Sequence, residues 1–393
     1  MPSARHALAV IIVAGGLCSL CCTSLSAAPP IDVSPVTTQP APLETSNWPL
    51  FRGNAEGQGV AQTSLPDKPQ LLWKFKPGNT TFDATAVIVG DTVYVGDGDR
   101  AFHALALADG KPRWSTPIDQ GFVSAAAVRD GRVYVGDAGG VFHCFDSASG
   151  RELWRFATAG EINSSPNLFE DSVIFGSQDG SLYRLRGKTG ELIWKYSIQA
   201  DGGIQSSPTL SGGRVLFAGC DGSLHVLDVA TGKKISSLSF LDMTLATAAI
   251  SGPTAFFGTE GGVFLGVNWQ ESKVLWKYQN PRSDAGYRSS AAVSADWVII
   301  GGRSKAVQRL KPVDGEVVWS FSTAGRVDSS PVVAGERVYF GSADGRVYGL
   351  ALDTGRPVWK HDTGGGVKAS PALAQRRLII GNENGVLYCF GVK

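Results

Sequence analysis

The sequence predicts an all-β, closed eight-bladed propeller with four antiparallel strands per blade. Three observations carry this prediction. A glycine ends a short apolar strand eight times, at Gly96, Gly136, Gly176, Gly219, Gly258, Gly301, Gly341 and Gly381, with intervals of 39 to 43 residues, and a period of that length marks a repeat architecture. Each interval holds four strand-length apolar runs separated by turn signals. The ends of the array are complementary: the last repeat stops at Lys393 after three strands, whereas Leu71-Leu-Trp73-Lys-Phe75 has the pattern of a fourth strand with no blade before it. Docking one on the other closes a ring, and closure matters because an open ring exposes unpaired strand edges.

Composition fits. Glycine is abundant at 49 of 393 residues, charged residues make up 18 %, and the net charge is +1. A near-neutral chain lacks the basic stripe that nucleic acid demands. The N-terminus is read as an export signal over residues 1–26, with Arg5, an apolar run from Ala7 to Leu20, and small residues up to Ser26. Some 14 apolar residues are too few to span roughly 30 Å of hydrocarbon but suit a signal core. A lipid anchor competes with this reading, because Cys18, Cys21 and Cys22 lie in the segment, although none follows the small residue a lipobox needs. Residues 27–46 are rich in Pro, Thr and Ala and read as a tether. The remaining Cys144, Cys220 and Cys389 are odd in number and are expected to be unpaired, with Cys144 and Cys389 packed between blades.

The folded body is expected over residues 47–393. In each repeat the first strand opens with small residues, as in Ile162-Asn-Ser-Ser-Pro166, Val327-Asp-Ser-Ser-Pro331 and Val367-Lys-Ala-Ser-Pro371. An apolar second strand such as Val338-Tyr-Phe-Gly341 follows. Asp-Gly or Asn-Gly then supplies the tight turn that needs positive φ. The third strand, such as Val347-Tyr-Gly-Leu350, is apolar at successive positions and so must be covered on both faces, which stacked blades provide. A second turn glycine is followed four residues later by the outer-strand tryptophan: Trp114, Trp154, Trp194, Trp319 and Trp359, with Trp276 lacking the glycine and Trp73 in the closing strand. These rings are expected to dock neighbouring blades. Blade 4 carries Ser236 in the slot and is expected to have the weakest joint.

The Ser-Ser-Pro, Tyr-Phe-Gly-Ser-x-Asp-Gly, Val-Tyr-x-Leu and Thr-Gly-x-x-x-Trp elements resemble the pyrroloquinoline-quinone-like (PQQ-like) propeller repeat over nearly all of residues 47–393. The opening Asn47-Trp-Pro-Leu-Phe-Arg-Gly53, the length and the uninterrupted ring look most like the BamB family of outer-membrane protein assembly factors. That resemblance implies a non-catalytic periplasmic scaffold, associated with the outer membrane, whose partners are envelope proteins of the β-barrel assembly machinery. These are fold motifs, so role transfers less firmly than fold.

Two alternatives are weighed against the scaffold. A PQQ-dependent dehydrogenase would hold the quinone and Ca²⁺ with carboxylate and amide oxygens, an Asp base and often adjacent cysteines. The only adjacent pair here, Cys21-Cys22, lies in the signal, and the inserted loops of such enzymes are missing. No catalytic, cofactor or metal residue is therefore assigned. His103, His143 and His225 share one slot with Tyr183, Tyr348 and Tyr388 in separate blades, a packing pattern rather than a metal site. The second alternative is a small-ligand or glycan sensor using the channel mouth. Residues just before the small pair are expected to line that channel: Asp83, Asn163, Gln205, Arg288, Asp328 and Lys368. Partner contacts are expected at Arg282, Asp284, Tyr287 and Arg288 in the longest loop, a hot-spot composition. On the opposite face, Trp269 and Trp297 are expected to form an exposed apolar patch that touches a partner.

Overall fold

Every regular element in the computed structural model, which describes residues 47–199, 203–281 and 283–392, is a β-strand. The expected signal and tether lie outside the described residues. Eight sheets each hold four strands in hairpin order, and one of them gains a fifth strand. Blade 1 comprises Val87–Val89, Thr92–Gly96, Ala101–Ala106 and Pro112–Pro117, innermost to outermost. Blades 2 to 7 repeat the plan over residues 127–157, 167–197, 209–239, 249–279, 292–322 and 332–362. Blade 8 takes Ala372–Ala374, Arg377–Gly381 and Leu387–Gly391 from the C-terminal end. Its outer strand is Gln70–Phe75, pairing Gln70 with Gly391, Trp73 with Cys389 and Phe75 with Leu387. The ring closes as the complementary ends predict.

The burial of each strand follows from its radius. Second and third strands are buried almost throughout, as in Arg337–Ser342 and Arg346–Ala351, because another blade stacks on each face. Outer strands alternate, as in Val317–Ser322, because one edge meets solvent. Every outer strand is bulged one or two residues before the tryptophan slot. An unpaired residue there re-aims the following side chain.

That side chain reaches into the next blade. Trp73, Trp114, Trp154, Trp194, Trp276 and Trp319 each donate Nε1–H to a carbonyl of the following blade, at Leu107, Ser147, Gly187, Val229, Pro312 and Leu352, over 2.8–3.0 Å. Trp359 instead meets Phe390 edge to face, with centroids 5.1 Å apart. The turn glycine of the next blade lies under each of the six rings: a Cβ on Gly110, Gly150, Gly190, Gly232, Gly315 or Gly355 would fall 2.5–2.6 Å from it. The glycine thus serves the tryptophan of the preceding blade, not the one four residues after it in sequence.

Blade 4 corrects the expected weak joint. Ser236 leaves the slot open, but Trp269 of blade 5 fills the space from the other side. Its ring is 5 % exposed, joins Leu216, Val226 and Val267 in one cluster, and donates Nε1–H to Gly252 O at 3.0 Å. With no ring above it, the turn position of blade 5 holds Ser272 at φ 53°. The strand-ending glycines obey a second pairing rule. A Cβ at Gly96, Gly136, Gly176, Gly258, Gly301, Gly341 or Gly381 would lie 2.1–2.7 Å from Phe122, Ile162, Ile204, Tyr287, Val327, Val367 or Phe82 of the adjacent blade. In blade 4 the register puts Ala218, not Gly219, in this slot, opposite Leu224. The facing residue there is the small Thr244, whose Oγ1 bonds Gly258 O instead.

Candidate functional site

The innermost strands surround the axis, and a ring of hydroxyls ties them together. Backbone N–H groups of Ala125, Ser165, Ser207, Thr247, Ser290, Ser330 and Ser370 donate to the side-chain oxygens of Ser165, Ser207, Thr247, Ser290, Ser330, Ser370 and Thr85 in turn, at 2.9–3.2 Å. Each bond joins one blade to the next. The circle lacks one member, because Ala125 offers no hydroxyl to blade 1. Such a bond contributes about 1 kcal/mol.

Above this ring the channel widens into a recess of about 150 Å³ lined by all six residues expected there: Asp83, Asn163, Gln205, Arg288, Asp328 and Lys368. Two more positions of the same ring, Val123 and Leu245, were missed because they are apolar. The slot, five residues before the centre of each first strand, identifies them in sequence. Most charges at the mouth are paired. Lys368 binds Glu383, Arg288 forks onto Glu260 at 3.0 Å, and Asp328 bridges Arg303 and Arg326 at 3.0 and 2.9 Å. Asp83 makes no direct ion pair; burial raises its pKa, Lys368 nearby lowers it and Glu383 raises it. Phe51 forms part of the recess wall.

Phe51 belongs to a segment that supplies none of the four strands of any blade. Residues 47–61 run around the far end of the axis and bond to the inner strands in order. Trp48 exchanges two bonds with Ile88; Val128, Leu210, Ile250, Val293 and Val333 donate N–H to the carbonyls of Pro49, Ala55, Glu56, Gln58 and Gly59, at 2.7–2.9 Å overall. In blade 3, Asn167 occupies the neighbouring N–H with its own Oδ1 and donates Nδ2–H to Ala55 O. Val60–Ala61 then adds as the fifth, parallel strand of blade 7. Arg52 anchors the segment. It is 1 % exposed and donates to the carbonyls of Ser330, Ala291 and Pro331 at 3.2, 2.9 and 2.6 Å, with burial pulling its pKa down to about 9.

The expected partner loop divides. Arg282 lies outside the described residues. Asp284 is exposed, and Arg288 is exposed at the rim. Tyr287 is corrected: at 1 % exposure it is the side chain that covers Gly258, the slot filled elsewhere by Phe82, Phe122 and Ile162. Its place directly before a channel-lining residue was the signal for that role. The Trp269–Trp297 patch is corrected as well. Trp269 is core, and Trp297 is half-buried against the joint of blades 6 and 7. The three histidines hold turns: His103, His143 and His225 contact Asp97, Asp137 and Asp221 through Nε2 at 2.8–3.2 Å, as the Tyr183 and Tyr348 hydroxyls contact Asp179 and Asp344. Cys144, Cys220 and Cys389 are free thiols, and burial pushes Cys144 and Cys389 up to about 12.

The sequence profile of the family described as outer membrane protein assembly factor BamB matches residues 65–235, 138–287 and 280–392. The chain belongs to the BamB family. Among solved structures, BamB from Moraxella catarrhalis superposes with a TM-score of 0.68 at 18 % identity, covering 83 % of this chain and 98 % of that one. The quinohemoprotein alcohol dehydrogenase of Comamonas testosteroni gives 0.73 at 15 % identity, covering 89 % and 81 %. The computationally designed Ika8 protein gives 0.73 at 17 %, covering 82 % and 100 %. No curated protein sequence matches. At such identities the superpositions show the fold alone. The recess volume lies below the roughly 300–1,000 Å³ of small-molecule pockets, and among the described residues no group of three or more His, Cys, Asp or Glu could hold a metal.

Proposed function

We propose that this BamB-family propeller is a non-catalytic scaffold of the cell envelope that assists outer-membrane protein assembly by presenting one sector of its ring to a protein partner. One observation carries the reading. Among the described residues, eight of the ten exposed large apolar side chains lie between residues 192 and 318, in blades 3 to 6. Leu241 is 92 % exposed at φ 62°, and Met243 beside it is exposed too, on the loop that leaves the joint of blades 4 and 5. Adjacent exposed apolar side chains such as these two are the kind that mark an interaction surface. This is also the joint where the glycine and tryptophan rules are both replaced, so local sequence here answers to something besides the repeat. No helix among the described residues is long and apolar enough to cross a membrane.

The test is crosslinking in the native envelope with Leu241→Asp and Met243→Asp combined. The doubly substituted protein is expected to keep its thermal stability, because both side chains face solvent, and to lose at least tenfold in captured assembly-machinery protein, on the scale of about 2 kcal/mol or more for a hot-spot pair. Unchanged capture would sink the proposal. Turnover with PQQ and Ca²⁺ in a dye-reduction assay would favour the dehydrogenase instead.

A further inference from the structure

The inner edges of the blades behave as a recognition surface. In a propeller the first strand of each blade has no neighbour on its axial side, so its central N–H points into the channel unpaired. Here the N–H groups of Ile88, Val128, Leu210, Ile250, Val293 and Val333 all meet carbonyls of one segment. We propose that this end of the channel is a docking site for a peptide with sharp turns, occupied in cis by residues 47–61. The segment behaves as a ligand rather than a blade. It touches the ring through backbone carbonyls, through Arg52, which forks onto three carbonyls of blades 6 and 7, through Gln58 and Glu56, which bond Ile250 O and Ser211, and through the buried Trp48 and Leu50.

The fit is specific and costly. Arg52 itself sits at φ 66°, and Gly53, Gly57 and Gly59 are all at positive φ. A Cβ on Gly59 would lie 1.8 Å from Arg52 Nη2. Trp48 Nε1 and Arg52 Nε are buried without a hydrogen-bond acceptor, and each such donor opposes docking. The occupant is held by its carbonyl ladder, its arginine and the buried Trp48 and Leu50 against this local cost. Chemically, the site takes a chain offering successive carbonyls, small residues at the sharp bends, one guanidinium and large apolar side chains such as Trp48 and Leu50. This inference is independent of the partner surface on blades 3 to 6.

Hydrogen exchange on the full chain tests it. In the wild type, the amides of Leu210, Ile250, Val293 and Val333 are expected in the protected class. Arg52→Gln, and separately Gly59→Ala, should reduce protection at these four about tenfold or more, while the second-strand amides of Phe340 and Ile379 keep theirs, the mark of local rather than global opening. Excess synthetic peptide of residues 47–61 should restore protection in the Gln variant, and the same peptide carrying Arg52→Gln should not. Protection lost throughout the ring in both variants, unchanged in both, or not restored by the wild-type peptide would each overturn the proposal.

Discussion

At the scale of single residues, the joints of this ring are two-residue agreements between neighbouring blades. Trp319 with Gly355, and Val367 with Gly341, show the rule; Trp269 with Ser236 and Ser272 shows how a departure is absorbed. A tryptophan on the surface would tolerate removal, whereas one sealing a joint would not. Trp269→Ala is expected to cost roughly 3–5 kcal/mol, as a large aromatic deleted from a core does, and Trp319→Ala the same. Chemical denaturation would measure both. A change below about 0.5 kcal/mol at Trp269, the range of ordinary surface positions, would return that residue to the partner-facing role its turn position suggests. The glycine slot gives a sharper contrast. Gly341→Ala drives a Cβ to 2.2 Å from Val367 and should cost about 1–3 kcal/mol through overpacking. Ala218→Gly, facing Thr244, should cost about 1 kcal/mol or less, mainly in backbone freedom. Equal effects at the two sites would disprove the pairing.

At the scale of elements, the sequence made strands, turns and blade count readable because each depends on local chemistry repeated eight times. Asp-Gly turns, doubly apolar middle strands and the blade split three strands to one between the two ends needed no long-range information. The channel residues were legible for the same reason, since they occupy one slot of one repeated strand. Tyr287 and Trp269 were misread because burial there is decided by partners elsewhere in the chain: Gly258 for Tyr287, Gly212 and Gly252 for Trp269. An aromatic residue in a loop or turn looks exposed until its neighbour in space is known. Residues 47–61 were invisible as an element for a related reason. They have no strand pattern of their own, because their backbone order is imposed by the inner edges they meet.

At the scale of the whole molecule, closure distributes the consequences of any single defect. The seam at blade 8 joins strands 70–75 and 387–391 with the same bulge and the same tryptophan as the continuous blades. Trp73→Ala is therefore expected to lower one cooperative unfolding transition, by about the same roughly 3–5 kcal/mol as Trp319→Ala. Two separate transitions by near- and far-ultraviolet circular dichroism would show instead that the seam opens by itself. The two faces also differ in what they offer. The chain enters beside Gly90, to which Asn47 is bonded, at the end occupied by residues 47–61, whereas the mouth and the Leu241 loop lie at the other. Because every joint is written half in one blade and half in the next, a blade cannot be cut out and pasted elsewhere. Residues 249–279 in place of blade 4 would slide the Ser272 side chain beneath the Trp194 indole and set Gly258 against Thr244, leaving a clash at one border and a void at the other. Duplication or shuffling in such a lineage must cut through the middle of blades and carry whole joints, so the inherited unit is the seam and not the petal.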